Sequence, residues 1–186
     1  AEEDEDREEG RREEMKAAAF VLFAFFLYFP YAWCALRKEP REKYGLLWRA
    51  DRKALFETAL FSAATLLPLT GVSLLFFGGR LYPPTLRLVP AAVLSGLAAA
   101  VAEETFFRGW VQTLLSAKVS PFWSIVLASG LFGLAHLASP HAPFALLAFF
   151  PGLVMGVLRE RHGSVLPAIL YHWAGNIWSI WFYPHF

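Results

Sequence analysis

The apolar residues of this chain are gathered into long blocks instead of being spaced along one face of each element. A helix crosses a bilayer core of about 30 Å with roughly 20 apolar residues. Six blocks approach this length, and they cover residues 17–36, 55–77, 88–115, 121–138, 143–158 and 165–183. The pattern therefore predicts an all-α fold, a polytopic membrane bundle of about six transmembrane helices.

Composition supports a membrane protein and separates one end of the chain from the rest. Hydrophobic residues make up 56% of the sequence, whereas nine of the sixteen acidic residues lie within the first fourteen positions. A segment with so much charge has little apolar surface to bury. We therefore expect a charged, flexible N-terminal arm at residues 1–16 and a membrane-embedded domain at residues 17–186. The lipid bilayer is its expected surrounding, and no nucleic-acid partner is expected.

The basic residues are concentrated in connections on one predicted side of the bundle. Residues 37–53 contain seven of them, and Lys118, Arg159 and Arg161 fall on the same side if six helices cross the membrane. Because Lys and Arg favour cytoplasmic loops, this side is predicted to face the cytoplasm. The excess of Arg over Lys, twelve to five, is compatible with a bacterial source and hence with the bacterial cytoplasmic membrane.

Three charged residues interrupt the third apolar block. A charge near the bilayer centre costs about 2.5–3.5 kcal/mol on insertion scales, so such residues are candidates for function. Glu104 and Arg108 are four positions apart and can pair on one helical face, whereas Glu103 lies about 100° away around the helix. Glu103 is thus the carboxylate without a local cation, which suits a base that activates water. The alternative is a charge network that only holds helices together.

Two later blocks carry polar groups that could complete such a site. His136 lies in the fourth block, and His172 and Asn176 are four positions apart on one face of the sixth. Hydrolysis of a peptide bond needs a base for water, a group that positions the water and donors for the oxyanion. Since the chain has no Gly-Xaa-Ser-Xaa-Gly sequence, water is the simpler nucleophile.

Three short sequences in these blocks resemble, in order, the motifs of a known family. AEETFFRG, SGLFGLAH and YHWAGN are similar to the Glu-Glu-x-x-x-Arg, Phe-x-x-x-His and His-x-x-x-Asn motifs of the CAAX-protease and bacteriocin-processing family. The resemblance covers a core of about residues 88–178. It implies a glutamic-type intramembrane endopeptidase in which Glu103 activates water together with His136.

The same resemblance implies roles for the other polar residues and for the partners. His172 and Asn176 would bind the oxyanion, while Glu104 and Arg108 would support the site. No metal or other cofactor is implied. The expected substrate is a peptide or a membrane-associated protein, and whether it is lipidated or carries a C-terminal anchor stays open. C-terminal processing or sorting, peptide maturation and immunity to bacteriocins remain alternatives for its role.

Three other interpretations remain open. One Glu and two His could hold zinc with water as the fourth ligand, although the HExxH spacing is missing. The polar cavity could instead bind a peptide or a lipidated partner without cutting it, as a membrane binding or immunity protein would. A transporter with a Glu/His proton relay is a further alternative, but the chain has no evident inverted repeat.

Overall fold

The secondary structure is helical throughout the described part of the chain. The computed structural model describes residues 2–76, 85–138 and 146–183, and these ranges contain helices and turns but no strand. The main helices are α1 (Glu2–Arg37), α2 (Arg52–Phe76), α3 (Leu86–Ser116), α4 (Pro121–Ala135), α5 (Phe149–His162) and α6 (Leu166–Phe182). The predicted all-α bundle of about six helices is therefore confirmed.

The helices differ in how completely they could cross a bilayer. The segment Glu13–Arg37 of α1, all of α2 and all of α3 are long and apolar enough to span a membrane. Helices α4, α5 and α6 have 15, 14 and 17 residues, and a helix of 17 residues is only about 26 Å long. The start of the predicted fifth block, at residue 143, lies outside the described residues.

The outer helices present apolar side chains to their surroundings. On α2, the side chains of Phe56, Leu67 and Phe76 are 67%, 69% and 77% exposed. So large an apolar surface on one helix is typical of contact with lipid. Helix α1 also includes the charged residues that were predicted to form an arm, and the domain boundary after residue 16 stays a prediction.

Helix α6 lies at the centre of the bundle, where it packs against α2, α3 and α5, while α4 packs against α5. One apolar cluster joins Ala100 of α3 to Ile169 of α6. A second joins Phe107 of α3, Phe132 of α4 and Met155 of α5. These clusters fix α3, α4 and α6 relative to one another, and these three helices carry the polar residues singled out in the sequence.

Two connections rich in basic residues lie on one side of the bundle. The backbone N–H of Val165 donates a hydrogen bond to the carbonyl of Gly45 at 2.9 Å. The hydroxyl of Ser164 donates to the carbonyl of Leu47 at 2.6 Å. These bonds join the α1–α2 connection to the α5–α6 connection. The two connections therefore lie on the same side of the bundle, as was predicted from their basic residues. The orientation of this basic side toward the cytoplasm stays a prediction.

The contact between α4 and α5 depends on a glycine in α5. A Cβ atom added at Gly156 would lie 2.7 Å from Cγ2 of Ile125, a stiff β-branched side chain, and 3.2 Å from Oε1 of Gln112. We expect the Gly156→Ala variant to be less stable by about 1–3 kcal/mol, because overpacking forces neighbouring atoms to move. The free energy of unfolding in mixed detergent micelles measures this loss.

A glycine on α4 provides the matched control. A Cβ atom at Gly130 would have no atom within 4 Å. The Gly130→Ala variant should therefore keep the stability of the parent or gain slightly, since Ala favours a helix by about 1 kcal/mol over Gly. Equal unfolding free energies for the two variants would contradict the close α4–α5 contact.

Candidate active site

A buried ion pair lies in the middle of α3. The first part of this helix ends at Glu104, and the segment Thr105–Val111 that follows is a π-helix, a wider turn that is frequent at functional sites. Nε of Arg108 lies 3.2 Å from Oε2 of Glu104, and both side chains are fully buried. The guanidinium also lies over the ring of Phe132, 4.9 Å from its centroid. The predicted pairing of Glu104 with Arg108 is present.

Glu104 has a second partner that the sequence did not indicate. Its Oε1 lies 2.9 Å from Nδ1 of His172. Because an ionised carboxylate only accepts hydrogen bonds, Nδ1 carries the hydrogen, and in the neutral ring Nε2 is then an acceptor. Glu104 thus joins Arg108 to His172 and holds the orientation of the imidazole.

His136 is oriented in a similar way, but by the backbone. It begins a short 3-10 turn at the end of α4. Its Nδ1 lies 2.9 Å from the carbonyl oxygen of Phe132. A carbonyl oxygen only accepts, so Nδ1 again carries the hydrogen and Nε2 of the neutral ring is again an acceptor.

The two Nε2 atoms converge on one oxygen of Glu103. Oε2 of Glu103 lies 3.8 Å from Nε2 of His136 and 3.9 Å from Nε2 of His172. These distances are too long for direct hydrogen bonds. Although 24% of the side chain is exposed, Oε2 is buried and has no hydrogen-bond partner among the described residues. Oε2 of Glu103 on α3 therefore faces two imidazole nitrogens from other parts of the bundle, each less than 4 Å away.

Asn176 lies one turn beyond His172 and contacts the backbone of α3. Its Nδ2 donates to the carbonyl of Gly96 at 2.9 Å. The absence of a side chain at Gly96 permits this approach, because a Cβ atom there would lie 3.1 Å from Cβ of Asn176. One hydrogen of the amide is thus used in helix packing, and its predicted contact with an oxyanion stays a prediction.

A cavity of about 530 Å³ adjoins these groups, with His136, His172 and Asn176 in its wall. It lies between α2, α4, α5 and α6. Most of the other wall side chains are apolar or aromatic, and they include Leu66, Leu69, Phe150, Pro151, Met155 and Trp178. The arrangement can hold an apolar group directly beside polar atoms suited to proton transfer.

Two further residues shape the site without having been singled out. The ring of Phe132 packs edge-on against the ring of His172, at 5.8 Å between centroids, in addition to its contact with Arg108. A Cβ atom at Gly152 would lie 3.2 Å from Nη2 of Arg108, so glycine makes room for the guanidinium. The position of Phe132 one turn before His136 was the only signal for it, and nothing in the sequence alone marked Gly152.

The candidate zinc ligands lie farther apart than the ligands of a bound zinc, and the absence of a cofactor stays a prediction. Among the described residues, no group of three or more His, Cys, Asp or Glu side chains is arranged to hold a metal ion. Two ligands at 2.0–2.1 Å from a tetrahedral zinc lie about 3.3 Å apart. The contacts of Glu103 with His136 and His172 are longer, at 3.8 and 3.9 Å.

Comparison with known proteins bears on the same part of the chain. The model of the family described as type II CAAX prenyl endopeptidase Rce1-like matches residues 85–178, about half of the 186 residues. No curated protein and no solved structure gives a significant match. The matched region contains Glu103, His136 and His172 together with Asn176. The chain therefore belongs to the Rce1-like family of type II CAAX prenyl endopeptidases, which are membrane proteases.

Proposed function

We propose that this protein is a glutamic-type endopeptidase that hydrolyses a peptide bond near the membrane with a water activated by Glu103 and His136. The observation that carries the proposal is the position of Oε2 of Glu103, which lies 3.8 Å from Nε2 of His136 and 3.9 Å from Nε2 of His172. Acceptors that face each other across more than 3.5 Å are commonly bridged by water. A water between Glu103 and His136 can donate one hydrogen to Oε2 of Glu103 and the other to Nε2 of His136.

The ionised carboxylate of Glu103 takes a proton from this water as the water attacks the carbonyl carbon of the substrate. His136 accepts the other hydrogen and so aligns the nucleophile. Its Nδ1 is already committed to the Phe132 carbonyl, which leaves Nε2 for the water. The proton held by Glu103 is then available for the leaving amine.

The oxyanion needs donors, and His172 can supply one only in its protonated form. Its Nδ1–H is bound to Glu104, so Nε2 donates only when it also carries a hydrogen. The carboxylate of Glu104 stabilises this imidazolium. Asn176 offers the hydrogen of Nδ2 that does not bind the Gly96 carbonyl. These two donors are the proposed oxyanion site.

The substrate is proposed to be a peptide or a membrane-associated protein, lipidated or with a C-terminal anchor. The cavity beside the site supports this class because its wall is mainly apolar and its volume is about 530 Å³. An apolar group of the substrate could occupy it while the peptide bond lies at His136 and His172. C-terminal processing or sorting and the maturation of a peptide both fit this arrangement.

The test is a search for new peptide termini in cell membranes. Source cells carrying the parent chain are compared with cells carrying the His136→Ala variant, and protein termini in the membrane fractions are labelled and identified. We expect a set of termini that occurs only with the parent, and cleavage by the purified parent in the presence of a strong chelator. Loss of cleavage in the chelator would instead favour zinc.

The alternative is a membrane protein that binds a peptide or a lipidated partner without cutting it. It predicts that an intact partner is recovered with both the parent and the His136→Ala variant, and that the two sets of termini are identical. That outcome would reject the proposed hydrolysis. The oriented, partly exposed histidines lie beside a carboxylate oxygen that has no hydrogen-bond partner in the described part of the chain, and this arrangement favours catalysis over binding alone.

A further inference from the structure

A second cavity lies on the basic side of the bundle, between the start of α2 and the end of α5. Its volume is about 540 Å³. Basic side chains reach it from three segments of the chain: Arg49 from the α1–α2 connection, Lys53 from the first turn of α2, and Arg161 with His162 from the last turn of α5. We call this cavity the basic cleft. None of these residues belongs to the candidate active site.

The floor of the basic cleft is held in place by a carboxylate of α2. Glu57 accepts two hydrogen bonds from Arg161, both at 2.8 Å, and its Oε2 lies 3.0 Å from Nε2 of His162. The side chains of His162 and Glu57 are 9% and 13% exposed. The bidentate geometry fixes the guanidinium of Arg161 at the edge of the cleft.

The two carboxylates near the basic cleft already accept hydrogen bonds from the protein. Glu57 is bound to Arg161 and His162, and Oδ1 of Asp51 accepts the backbone N–H of Ala54 at 2.7 Å, as a helix N-cap. By contrast, Arg49 and Lys53 have no hydrogen-bond or ion-pair partner among the described residues. Two cations without a protein partner therefore lie at one cavity, whose wall also contains the carboxylate of Asp51.

The surface next to the basic cleft is apolar and lies along one face of α2. Phe56 and Leu60 follow Lys53 at three and seven positions, so the three residues share a helical face. The side chains of Phe56 and Leu60 are 67% and 54% exposed. A ligand with an anionic head and apolar chains would contact the cations and this face together, whereas a free phosphate would contact only the cations.

We propose that the basic cleft binds the phosphate-bearing headgroup of an anionic phospholipid whose acyl chains lie along the Phe56 and Leu60 face of α2. The cleft lies at the start of α2, one of the helices long and apolar enough to span a membrane, and the end of such a helix is expected to meet the lipid headgroups. Basic pockets between membrane helices are suited to such headgroups. This proposal does not depend on the proposed function, since it concerns lipid binding and not cleavage.

The test measures binding of soluble short-chain lipids to the full chain in uncharged detergent, by native mass spectrometry. The probes are dioctanoyl phosphatidylglycerol, dioctanoyl phosphatidylcholine and inorganic phosphate. The Arg49→Gln/Lys53→Gln variant should bind phosphatidylglycerol about 30-fold more weakly than the parent. Its thermal midpoint should be unchanged, because neither side chain has a partner to lose.

The control removes the same charge from the same side of the bundle but outside the basic cleft. The Arg37→Gln/Lys38→Gln variant should bind phosphatidylglycerol within about threefold of the parent, since only diffuse attraction is lost. An equal loss in both double variants would overturn the proposal. Equally tight binding of phosphatidylcholine would also overturn it, and equally tight binding of inorganic phosphate would assign the cleft to a free anion.

Discussion

Replacement of Glu103 by Gln should lower the rate of peptide cleavage by about 10³-fold, because general-base catalysis contributes about 10²–10⁴-fold. The amide keeps the shape of the carboxylate but cannot take a proton from water. Binding of the substrate should be unaffected, so the loss should appear in kcat and not in KM. Single-turnover cleavage of a substrate found through the labelled termini measures it directly.

The stability of this variant is expected to equal or exceed that of the parent. Oε2 of Glu103 faces two acceptor nitrogens, and an amide N–H in its place could donate to one of them. The Glu42→Gln variant, on the exposed turn Arg41–Tyr44 of the basic side, is a matched control that should cleave at the parent rate. A Glu103→Gln rate within twofold of the parent would reject the assigned base.

Much of the fold could be predicted because bilayer helices are specified by local composition. The apolar blocks place both ends of α2, α3, α4 and α6 within about three residues of their observed bounds, whereas α1 extends back to Glu2 and α5 covers Phe149–His162 in place of 143–158. Spacing alone indicates which side chains share a helical face. The pairing of Glu104 with Arg108 follows from the same rule, since both residues lie on one helix. That pairing left Glu103 as the carboxylate without a local cation, and among the described residues Glu103 has no Lys or Arg within ion-pair distance.

The rest of the site depends on how the helices meet, and local rules do not contain this information. The bond between Glu104 and His172 joins residues 68 positions apart, and the bond between Asn176 and Gly96 joins residues 80 apart. The sequence therefore assigned Glu104 to one partner where the structure gives it two. The π-helical segment that follows Glu104 also has no signal in a hydrophobic pattern.

Replacement of Glu104 by Leu should destabilise the protein by about 3–5 kcal/mol, because it leaves the fully buried Arg108 without its carboxylate. A Glu104→Leu/Arg108→Met double variant should recover most of this free energy, since two apolar side chains can occupy the same space. Arg108→Met alone is the matched control, and its loss should be smaller because Glu104 keeps His172. The free energy of unfolding in mixed detergent micelles measures the stability of all three variants.

The same double variant separates the structural role of Glu104 from its role in the reaction. If Glu104 orients His172, the refolded double variant should remain inactive although its stability is restored, because Nδ1 of His172 has lost its acceptor. Recovery of both stability and cleavage would show that the pair only holds the helices together. Residues in contact should show a coupling energy. If the double variant lost as much stability as the two single variants together, that result would contradict the ion pair itself.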